Sequence, residues 1–549
     1  MSALFSSVRN ASGVTSGTLS SEATSSTSSA PLPGETTSAL GEFQSQADGV
    51  LDHMVQKPLR VGGKPLGHSP EARHFQQRQG RGQGRPLPPR RVIHDSAAVE
   101  AFTPEQAQEA QQVMSDRWSS VTRTAADTHQ KWAPDYRTLS LTVLLHKNQE
   151  QTPNQQDWRL REEALERVGQ VVNKGLAGYI DLRVEPYGSF VSNLFTPGGD
   201  LDIAIEGSTH NWLDPDNRLP LNLLDKEEKA RLLRALGSKL NKGQLTRGSI
   251  QRILHARVPI IKFVERRSGL ACDVAVGSAG ARFKSNVLGL LNRLEPRFGQ
   301  LVRLVKAWAK AHDCNSPADG TFNTFALCLM VMFHLQTVSP PILPRLCDLF
   351  ALGPEAVEAR PLHEGRPHPP LALQECRERA KQWRPHSRNE AGLAELLALF
   401  FERYAAALQL WTRLDQNVAG ISVMRASPWS ASWASGRFAK PYAVNVEDPF
   451  DATDNCARTL SPFKAQGICG LFTASAKVLR HLDTAEDVET ARQWLFHAVR
   501  TRSFPASIQL PLRYPPQNRL AAQEALAHHD VPGHKSVPPE VRAQALPYT

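Results

Sequence analysis

A glycine–serine pair followed at a fixed distance by two aspartates constrains this chain more than any other feature. Gly188 and Ser189 end the stretch IDLRVEPYGS, ten residues follow, and Asp200 and Asp202 then flank Leu201 in DLDIAIEG. The alternation of acidic and apolar residues predicts a β-strand, on which successive side chains point to opposite faces. Both carboxylates therefore share one face, where they repel each other unless a cation lies between them.

The chemistry that suits two such carboxylates is phosphoryl transfer, because two metal ions a few ångströms apart clamp the attacking and leaving oxygens. Gly188 and Ser189 are predicted to form a strand-to-helix turn, where free backbone N–H groups and a hydroxyl can meet a triphosphate. A surface turn followed by a solvated acidic strand is the alternative. Leu201, Ile203 and Ile205 argue against it, since they bury the opposite face and direct the carboxylates into a cleft.

A third carboxylate is expected from a neighbouring strand. VPIIKFVERRSGLACDVAV is typical of a β-hairpin turned at Arg267-Ser268-Gly269, and its second strand carries Asp273 among apolar residues. A lone aspartate there is costly unless it binds a metal or caps a turn, and we prefer the metal. We predict that Asp200, Asp202 and Asp273 are the catalytic residues and the ligands of Mg²⁺ or Mn²⁺, and that Asp273 helps to deprotonate a primer 3′-hydroxyl.

Two lysines further along the chain suit a polyanion. LVRLVKAWAK predicts a helix on which Lys306 and Lys310 lie one turn apart on the same face. Like charges at this spacing are mildly destabilising, so the pair makes better sense facing the β- and γ-phosphates of a nucleotide. Two solvated lysines are an equally good interpretation of this stretch alone.

At 549 residues the chain is too long for one compact core, so two domains with tails are expected. Residues 354–390 are rich in Pro, His and Arg and are predicted to form a loop. The patterns predict, in order, a disordered arm at 1–130, N-terminal helices at 131–175 packing on the helical domain, an α/β unit at 176–284, a helical domain at 285–500 and a loose tail at 501–549.

The net charge of +10 is unevenly spread, because residues 57–91 carry nine Lys and Arg against one acid and leave the rest of the chain at +2. This segment could bind phosphates without sequence preference or be a solvated linker. The Ser/Thr-rich N-terminus weakly resembles a transit peptide, but disorder is favoured. No apolar run approaches the ~20 residues that span a bilayer, so no membrane partner is expected. The seven scattered cysteines suit a reducing compartment, and the cytoplasm is preferred over nucleus or organelle.

Seven segments in this order resemble one known family, the non-canonical poly(A) polymerases and terminal uridylyltransferases of the DNA polymerase β-like nucleotidyltransferase superfamily. They are YGSFVSNLF, DLDIAIE, ARVPIIKF, CDVAV, LVRLVKAWAK, NSPADGTFNTFALCLMVMFH and VEDPFD. The resemblance covers about residues 135 to 480 and is closest to plant and algal RNA uridylyltransferases that tail small RNAs and RNA fragments. It implies an α+β fold, with a catalytic palm of mixed β-sheet and helices packed on a mainly helical poly(A)-polymerase-associated domain.

The resemblance also implies a nucleotide in the cleft between palm and helical domain. Gly188 and Ser189, with the lysine pair, would hold its triphosphate, and Thr324 would meet the phosphates as well. Phe325 falls where relatives usually carry a tyrosine that stacks on the base, so stacking is kept and a hydroxyl contact is lost. Glu447-Asp448-Pro449-Phe450 would shape the loop that closes over the base.

Asp454 falls where some uridylyltransferases place a histidine that favours uracil over adenine. A carboxylate donates no hydrogen bond unless protonated, and it could accept one from an adenine amino group, which would shift selectivity the other way. A solvated loop or capping residue is an equally good interpretation of Asp454. The preference for UTP over ATP therefore stays open at this point.

The expected activity is template-independent addition of UMP from UTP to RNA with a free 3′-hydroxyl, in RNA tailing and turnover. Poly(A) addition from ATP is the runner-up, and an inactive RNA-binding scaffold or transfer to a small molecule are alternatives of other classes. The expected partners are RNA, UTP or ATP, and the machinery of small RNAs or RNA decay.

Overall fold

The computed structural model describes residues 144–497 and five positions between 112 and 120. Within 144–497 it leaves out 145, 175, 177, 211–217, 354–369, 386, 414–418, 431–441 and 481–484. The Ser/Thr-rich N-terminus, the basic segment 57–91 and the predicted tail 501–549 lie outside the described residues.

A mixed β-sheet forms the first part of the described chain. Its strands are β1 Tyr179–Tyr187, β2 Leu201–His210, β3 Arg218–Pro220, β4 Thr246–Ile253, β5 Ile260–Glu265 and β6 Ala271–Val276. They are ordered β1-β2-β6-β5-β4. The strand β3 pairs with the last three residues of β2, beyond the part of β2 that pairs with β6. β2 and β6 run parallel, and the other pairs are antiparallel. The strand predicted for DLDIAIEG, the strand that leads into the Gly188–Ser189 turn and the predicted hairpin are confirmed.

One face of this sheet is apolar and is covered by two helices, α1 Gln155–Asn173 and α3 Lys226–Lys242. Each helix begins with a capping box, Asn154 with Asp157 and Asp225 with Glu228, which satisfies backbone N–H groups of the first turn. The sheet contributes every second side chain of its central strands to the shared core. Between β1 and β2 lies the single helical turn α2, Gly188–Val191. The opposite face of the sheet is thereby left for the site.

The position of α1 corrects the expectation that the helices of 131–175 pack on the helical domain. Its apolar stripe, which includes Ala164, Val168 and Val172, is buried against the sheet because that surface matches the apolar face of the strands. The short helical segment at 146–151 behaves differently. Asn148 Oδ1 accepts a hydrogen bond of 3.3 Å from Arg303 Nε, and Leu144 joins the helical core.

Helices dominate the chain after β6. They are α4 Ala279–Leu294, α5 Pro296–Ala311, α6 Thr324–Thr337, α7 Leu346–Phe350, α8 Pro370–Gln382, α9 Leu393–Arg413, α10 Pro462–Arg480 and α11 Ala485–Phe496. Two short ladders accompany them, β7 Ala419–Ser422 with β8 Ser427–Ser430 and β9 Glu447–Asp448 with β10 Asp451–Asn455. No helix among the described residues is long and apolar enough to cross a membrane.

The structure also corrects the loop predicted over 354–390. Its first part lies outside the described residues, but Pro370–Gln382 is a helix that buries Cys376 and Ala380. Cys376 and Ala380 are one helical turn apart, but two apolar residues among Pro, His and Arg are too weak a pattern to predict a helix. A helix this short is stabilised mainly by tertiary packing, which the sequence does not display. The chain around residue 295 is divided into the helices α4 and α5, because Pro296 takes the first position of a new helix that Glu295 caps.

A buried carboxylate ties α1 to the β5–β6 hairpin. Glu265 is 0% exposed and accepts hydrogen bonds from Arg167 Nη2 at 2.8 Å and from the backbone N–H of Ser268 at 2.8 Å. Burial opposes ionisation, but these hydrogen bonds prevail and lower the pKa of Glu265 to about 2. The hairpin turn therefore depends on an ionised side chain.

Replacing this carboxylate should weaken the fold. We expect Glu265→Gln to lower the free energy of unfolding by about 3 kcal/mol in urea denaturation, because Arg167 then loses its buried partner. Glu163→Gln is the matched control, since Glu163 pairs with the same arginine but is 59% exposed, and it should cost less than about 1 kcal/mol. The contribution of Glu265 should be present above about pH 4.5 and be lost as the pH falls towards 2. Equal losses in the two variants would contradict this account.

Candidate active site

Strand register brings three carboxylates together on the open face of the sheet. Asp202 on β2 lies directly opposite Asp273 on the parallel strand β6, and Asp200 immediately precedes β2. One carboxylate oxygen from each residue lies within 4.8 Å of the other two. The convergence predicted from the sequence is therefore present. Asp200, however, lies just outside the strand, so its position does not come from the strand ladder.

The electrostatics of this cluster indicate a site for cations. Burial, followed by the charges of Asp200 and Asp273, raises the pKa of Asp202 to about 8. Burial also raises the pKa of Asp273, although Lys262 opposes the shift. Three acidic side chains that crowd in this way offer only oxygen donors, which hard divalent ions prefer. The residues present thus fit one or two divalent cations.

Position 188 requires glycine, because a side chain there would collide with one of these carboxylates. Its φ of +69° lies in the left-handed region, and a Cβ at this position would lie 1.9 Å from Oδ2 of Asp202. Its backbone N–H donates a 2.8 Å hydrogen bond to Oγ of Ser285 on α4. Sequence reasoning assigned this glycine to close approach by a phosphate. The structure adds that the nearest neighbour of a Cβ at this position is the carboxylate of Asp202.

The predicted phosphate-binding residues are only partly assembled around the triad. Ser189 is half-buried in α2, and its carbonyl accepts from the N–H of Leu194 at 2.9 Å. Lys306 on α5 donates from Nζ to the carbonyl of Leu194 at 2.9 Å, and it lies near enough to Asp200 and Asp202 for their charges to act on it. Lys310 is exposed one turn further along α5, and no hydrogen bond or ion pair between described residues joins it to the carboxylates.

Lys262 is a site residue that sequence reasoning missed. It lies on β5 directly opposite Asp273, and its Nζ donates to the Asp273 carboxylate. Burial lowers its pKa, but Asp273 outweighs this effect, and the net pKa of Lys262 is raised. The signal was available, since counting back from the predicted hairpin turn brings Lys262 close to the position opposite Asp273.

A second polar cluster lies in the helical part and contains Phe325, at the start of α6. Nζ of Lys284 on α4 lies 5.4 Å from the centroid of the Phe325 ring, a cation–π contact. The same ammonium pairs with Asp448, whose carboxylate is buried and also accepts from the N–H of Phe450 at 3.0 Å. Lys284 was not predicted, and nothing in its local sequence marks it. The buried Glu447–Phe450 segment is thus held from α4.

Asp454 on β10 is engaged by two arginines. It accepts from Nη1 of Arg257 at 2.8 Å and from Nη1 of Arg458 at 2.9 Å. Arg257 belongs to the β4–β5 connection, so this ion pair joins the sheet to the helical part. Any contact of Asp454 with a base would have to share the carboxylate with these arginines.

Thr324 is the first residue of α6 and exchanges a 3.3 Å hydrogen bond with the side chain of Asn315. No hydrogen bond between described residues links Thr324 to the triad. Its contact with phosphates stays a prediction.

A mixed sheet that gathers three carboxylates beside a Gly–Ser turn, followed by a helical part, is the arrangement expected of polymerase β-like nucleotidyltransferases. Residues 142–291 match the family model for the central palm domain of mitochondrial-like poly(A) RNA polymerases. Crystal structures of mtPAP share the fold, and the complex with ATPγS aligns with a TM-score of 0.51 and 20% identity over 66% of this chain and 75% of that chain.

Two curated relatives extend the comparison. Protein HESO1 of Arabidopsis thaliana is 33% identical over 306 residues, which is 54% of this chain and 55% of that protein. The mitochondrial poly(A) RNA polymerase of Homo sapiens is 27% identical over 329 residues, 58% of this chain and 53% of its own length. The matches therefore span about half the length of these relatives. These matches support the resemblance of this chain to the non-canonical poly(A) polymerase and terminal uridylyltransferase family of nucleotidyltransferases.

Proposed function

We propose that this protein is a template-independent RNA 3′-terminal nucleotidyltransferase that transfers UMP from UTP. In the reaction the RNA 3′-oxygen forms a bond to the α-phosphorus, the bond from that phosphorus to the β-phosphate oxygen breaks, and pyrophosphate leaves. The observation that carries the proposal is the convergence of Asp200, Asp202 and Asp273 within 4.8 Å on one face of the sheet.

Each part of the site has a task in this reaction. The three aspartates would hold Mg²⁺ or Mn²⁺, which supplies charge neutralisation to the attacking and leaving oxygens. The Asp273 carboxylate, held by Lys262, would help to accept the proton of the 3′-hydroxyl. Ser189 and Lys306 would hold the triphosphate at the edge of the triad, with Lys310 further out.

A polyanionic substrate is supported by charge on the palm. Residues 226–267 contain twelve Lys and Arg against three acids, and six of these cations belong to α3, which covers the other face of the sheet. From Asp202 a row of directly paired residues crosses the open face through Asp273 and Lys262 to Gln251 on the edge strand β4. Arg247 is exposed on the same strand, opposite Val264. An RNA 3′ end that crosses this face towards the triad would meet cations without reading sequence.

UTP and ATP are the two candidate nucleotides. UTP is supported by the resemblance of the motifs to plant and algal RNA uridylyltransferases. ATP is the alternative, supported by the relative named as a poly(A) RNA polymerase and by a carboxylate at Asp454, which accepts hydrogen bonds. In either case Phe325, backed by Lys284, would stack on the base.

Extension of a short RNA tests the proposal directly. Purified protein with Mg²⁺ or Mn²⁺ and each nucleotide in turn should lengthen a 3′-hydroxyl RNA, with UTP used best. Asp454→His should raise the ratio of the extension rate with UTP to that with ATP about tenfold, which is the discrimination that one hydrogen bond can supply. Asp348→His is the matched control, because Asp348 also pairs with an arginine, at 2.7 Å, but no hydrogen bond or ion pair between described residues joins it to the triad or to Asp454. Extension with none of the four nucleotides would leave the inactive scaffold as the better hypothesis.

We further propose a role in RNA tailing and turnover in the cytoplasm, with the nucleus or an organelle as alternatives. All seven cysteines are free, which suits a reducing compartment. The partners proposed are RNA with a free 3′-hydroxyl and the machinery of small RNAs or RNA decay.

A further inference from the structure

A fully buried arginine on α1 holds the loop that leads into the triad. The guanidinium of Arg161 donates from Nη2 to three carbonyls of this loop, those of Thr196 at 3.2 Å, Pro197 at 3.3 Å and Gly199 at 2.6 Å. Nη1 donates to the backbone carbonyl of Asp157 on its own helix at 3.0 Å, and the guanidinium lies 4.3 Å from the centroid of the Phe195 ring. One side chain therefore fixes most of the segment 195–199.

This loop places Asp200, the one aspartate of the triad that strand pairing does not position. Asp202 and Asp273 are placed by direct pairing between β2 and β6, whereas Asp200 lies before the first residue of β2 and is exposed. The peptide that precedes Asp200 is the one whose carbonyl, Gly199 O, makes the shortest bond to Arg161. The direction in which the chain enters Asp200 thus depends on α1, on the other face of the sheet.

We propose that Arg161 is a positioning residue for Asp200, which it orients for metal binding through the carbonyls of residues 196–199. The inference rests on the proposed function only for its catalytic consequence. A guanidinium suits this task because its planar fork donates to several carbonyls at fixed angles, whereas an ammonium cannot reproduce that fork. Partners that orient metal ligands in this way typically change metal affinity or activity 10- to 100-fold when removed, on the order of the effect expected here.

Mn²⁺ binding to the purified protein tests the proposal without RNA or nucleotide. The signal of free Mn²⁺ in electron paramagnetic resonance gives the dissociation constant, which should rise about tenfold in Arg161→Met and less in Arg161→Lys. In extension assays the half-saturating Mg²⁺ concentration should rise in parallel, while KM for the nucleotide at saturating metal stays within about twofold. A weakened metal site with unchanged nucleotide KM is a result that loss of stability alone does not give.

Arg403→Met is the matched control. Arg403 is equally buried and also donates to backbone carbonyls, those of Thr337 at 2.7 Å and His334 at 3.3 Å, but it lies on α9 in the helical part. It should lose a similar amount of thermal stability and keep wild-type Mn²⁺ affinity. Wild-type affinity in the folded Arg161 variants, or equal weakening by Arg403→Met, would overturn the proposal. If Arg161→Met does not fold, Arg161→Lys and Arg161→Gln decide the same question. Because Mn²⁺ binding needs no substrate, the result stands even if no nucleotide is transferred.

Discussion

Asp202→Asn should leave the protein folded and reduce RNA extension about a thousandfold or more. The substitution keeps the shape of the side chain and removes one of the three charges that would gather divalent ions, so the transferred phosphate loses its main stabilisation. The measurement is the initial rate of extension of a labelled RNA at saturating UTP and metal. Asp181→Asn is the control, because Asp181 lies on β1 of the same sheet but is 64% exposed, and its variant should keep its rate within about twofold.

The same variant should change stability in the opposite direction from most core substitutions. Without metal, folding raises the pKa of Asp202 from 3.8 to about 8, so the folded state binds this proton more tightly than the unfolded state does. The contribution of Asp202 to stability therefore falls as the pH rises from about 4 to about 8. In the presence of a chelator at pH 8, Asp202→Asn should melt at or above the temperature of the wild-type protein. Extension at a wild-type rate, or unfolding of the variant, would contradict the assigned role.

Gly188→Ala should be the second most damaging change. The added Cβ would lie 1.9 Å from Oδ2 of Asp202, so the carboxylate or the turn must move, and the φ of +69° adds strain for any residue with a side chain. A displacement of about 1 Å in a reacting group costs about a hundredfold in rate, and we expect at least that loss in initial-rate assays, with a lower melting temperature.

Gly269→Ala separates the collision from the strain. Gly269 has nearly the same φ, +71°, in the β5–β6 turn, but nothing lies within 4 Å of its Cβ position. It should lower stability by about 1 kcal/mol and leave the rate of extension nearly unchanged. If both alanine variants lose activity to the same extent, contact with Asp202 is not what makes Gly188 necessary.

The strands that carry the triad could be predicted from the sequence, because polar and apolar residues alternate along them as their side chains alternate between the two faces of the sheet. Alternation around Asp200 and Asp202 predicted β2, and the apolar hairpin with a polar turn predicted that Asp273 would lie on a neighbouring strand. Both follow from the pleat of a strand, which a single sequence displays. The first residue of β2 could not be predicted in this way, because the alternating pattern of DLDIAIEG includes Asp200, whereas the strand begins at Leu201.

Contacts between distant segments were out of reach of such patterns. The apolar stripe of α1 fits either a sheet or a helix bundle, so its packing partner could not be chosen from the spacing. Lys284 pairs with Asp448 and Arg161 with the carbonyl of Gly199, and each of these partners lies more than thirty residues away. The basic segment 226–267 was hidden for another reason. Acidic residues elsewhere cancel it in the total, so a near-neutral sum outside residues 57–91 gave no sign of a charged palm surface.

Lys262 has a consequence for how the protein exists before it meets a nucleotide. The Lys262 ammonium, which pairs with Asp273, offsets part of the negative charge at the triad. Assembly of the sheet therefore need not wait for a divalent ion, as it does in domains that fold only around their metal. We expect the palm to remain native in chelator. A divalent ion would then bind together with each nucleotide and leave with its pyrophosphate, and it would not be a permanent part of the protein.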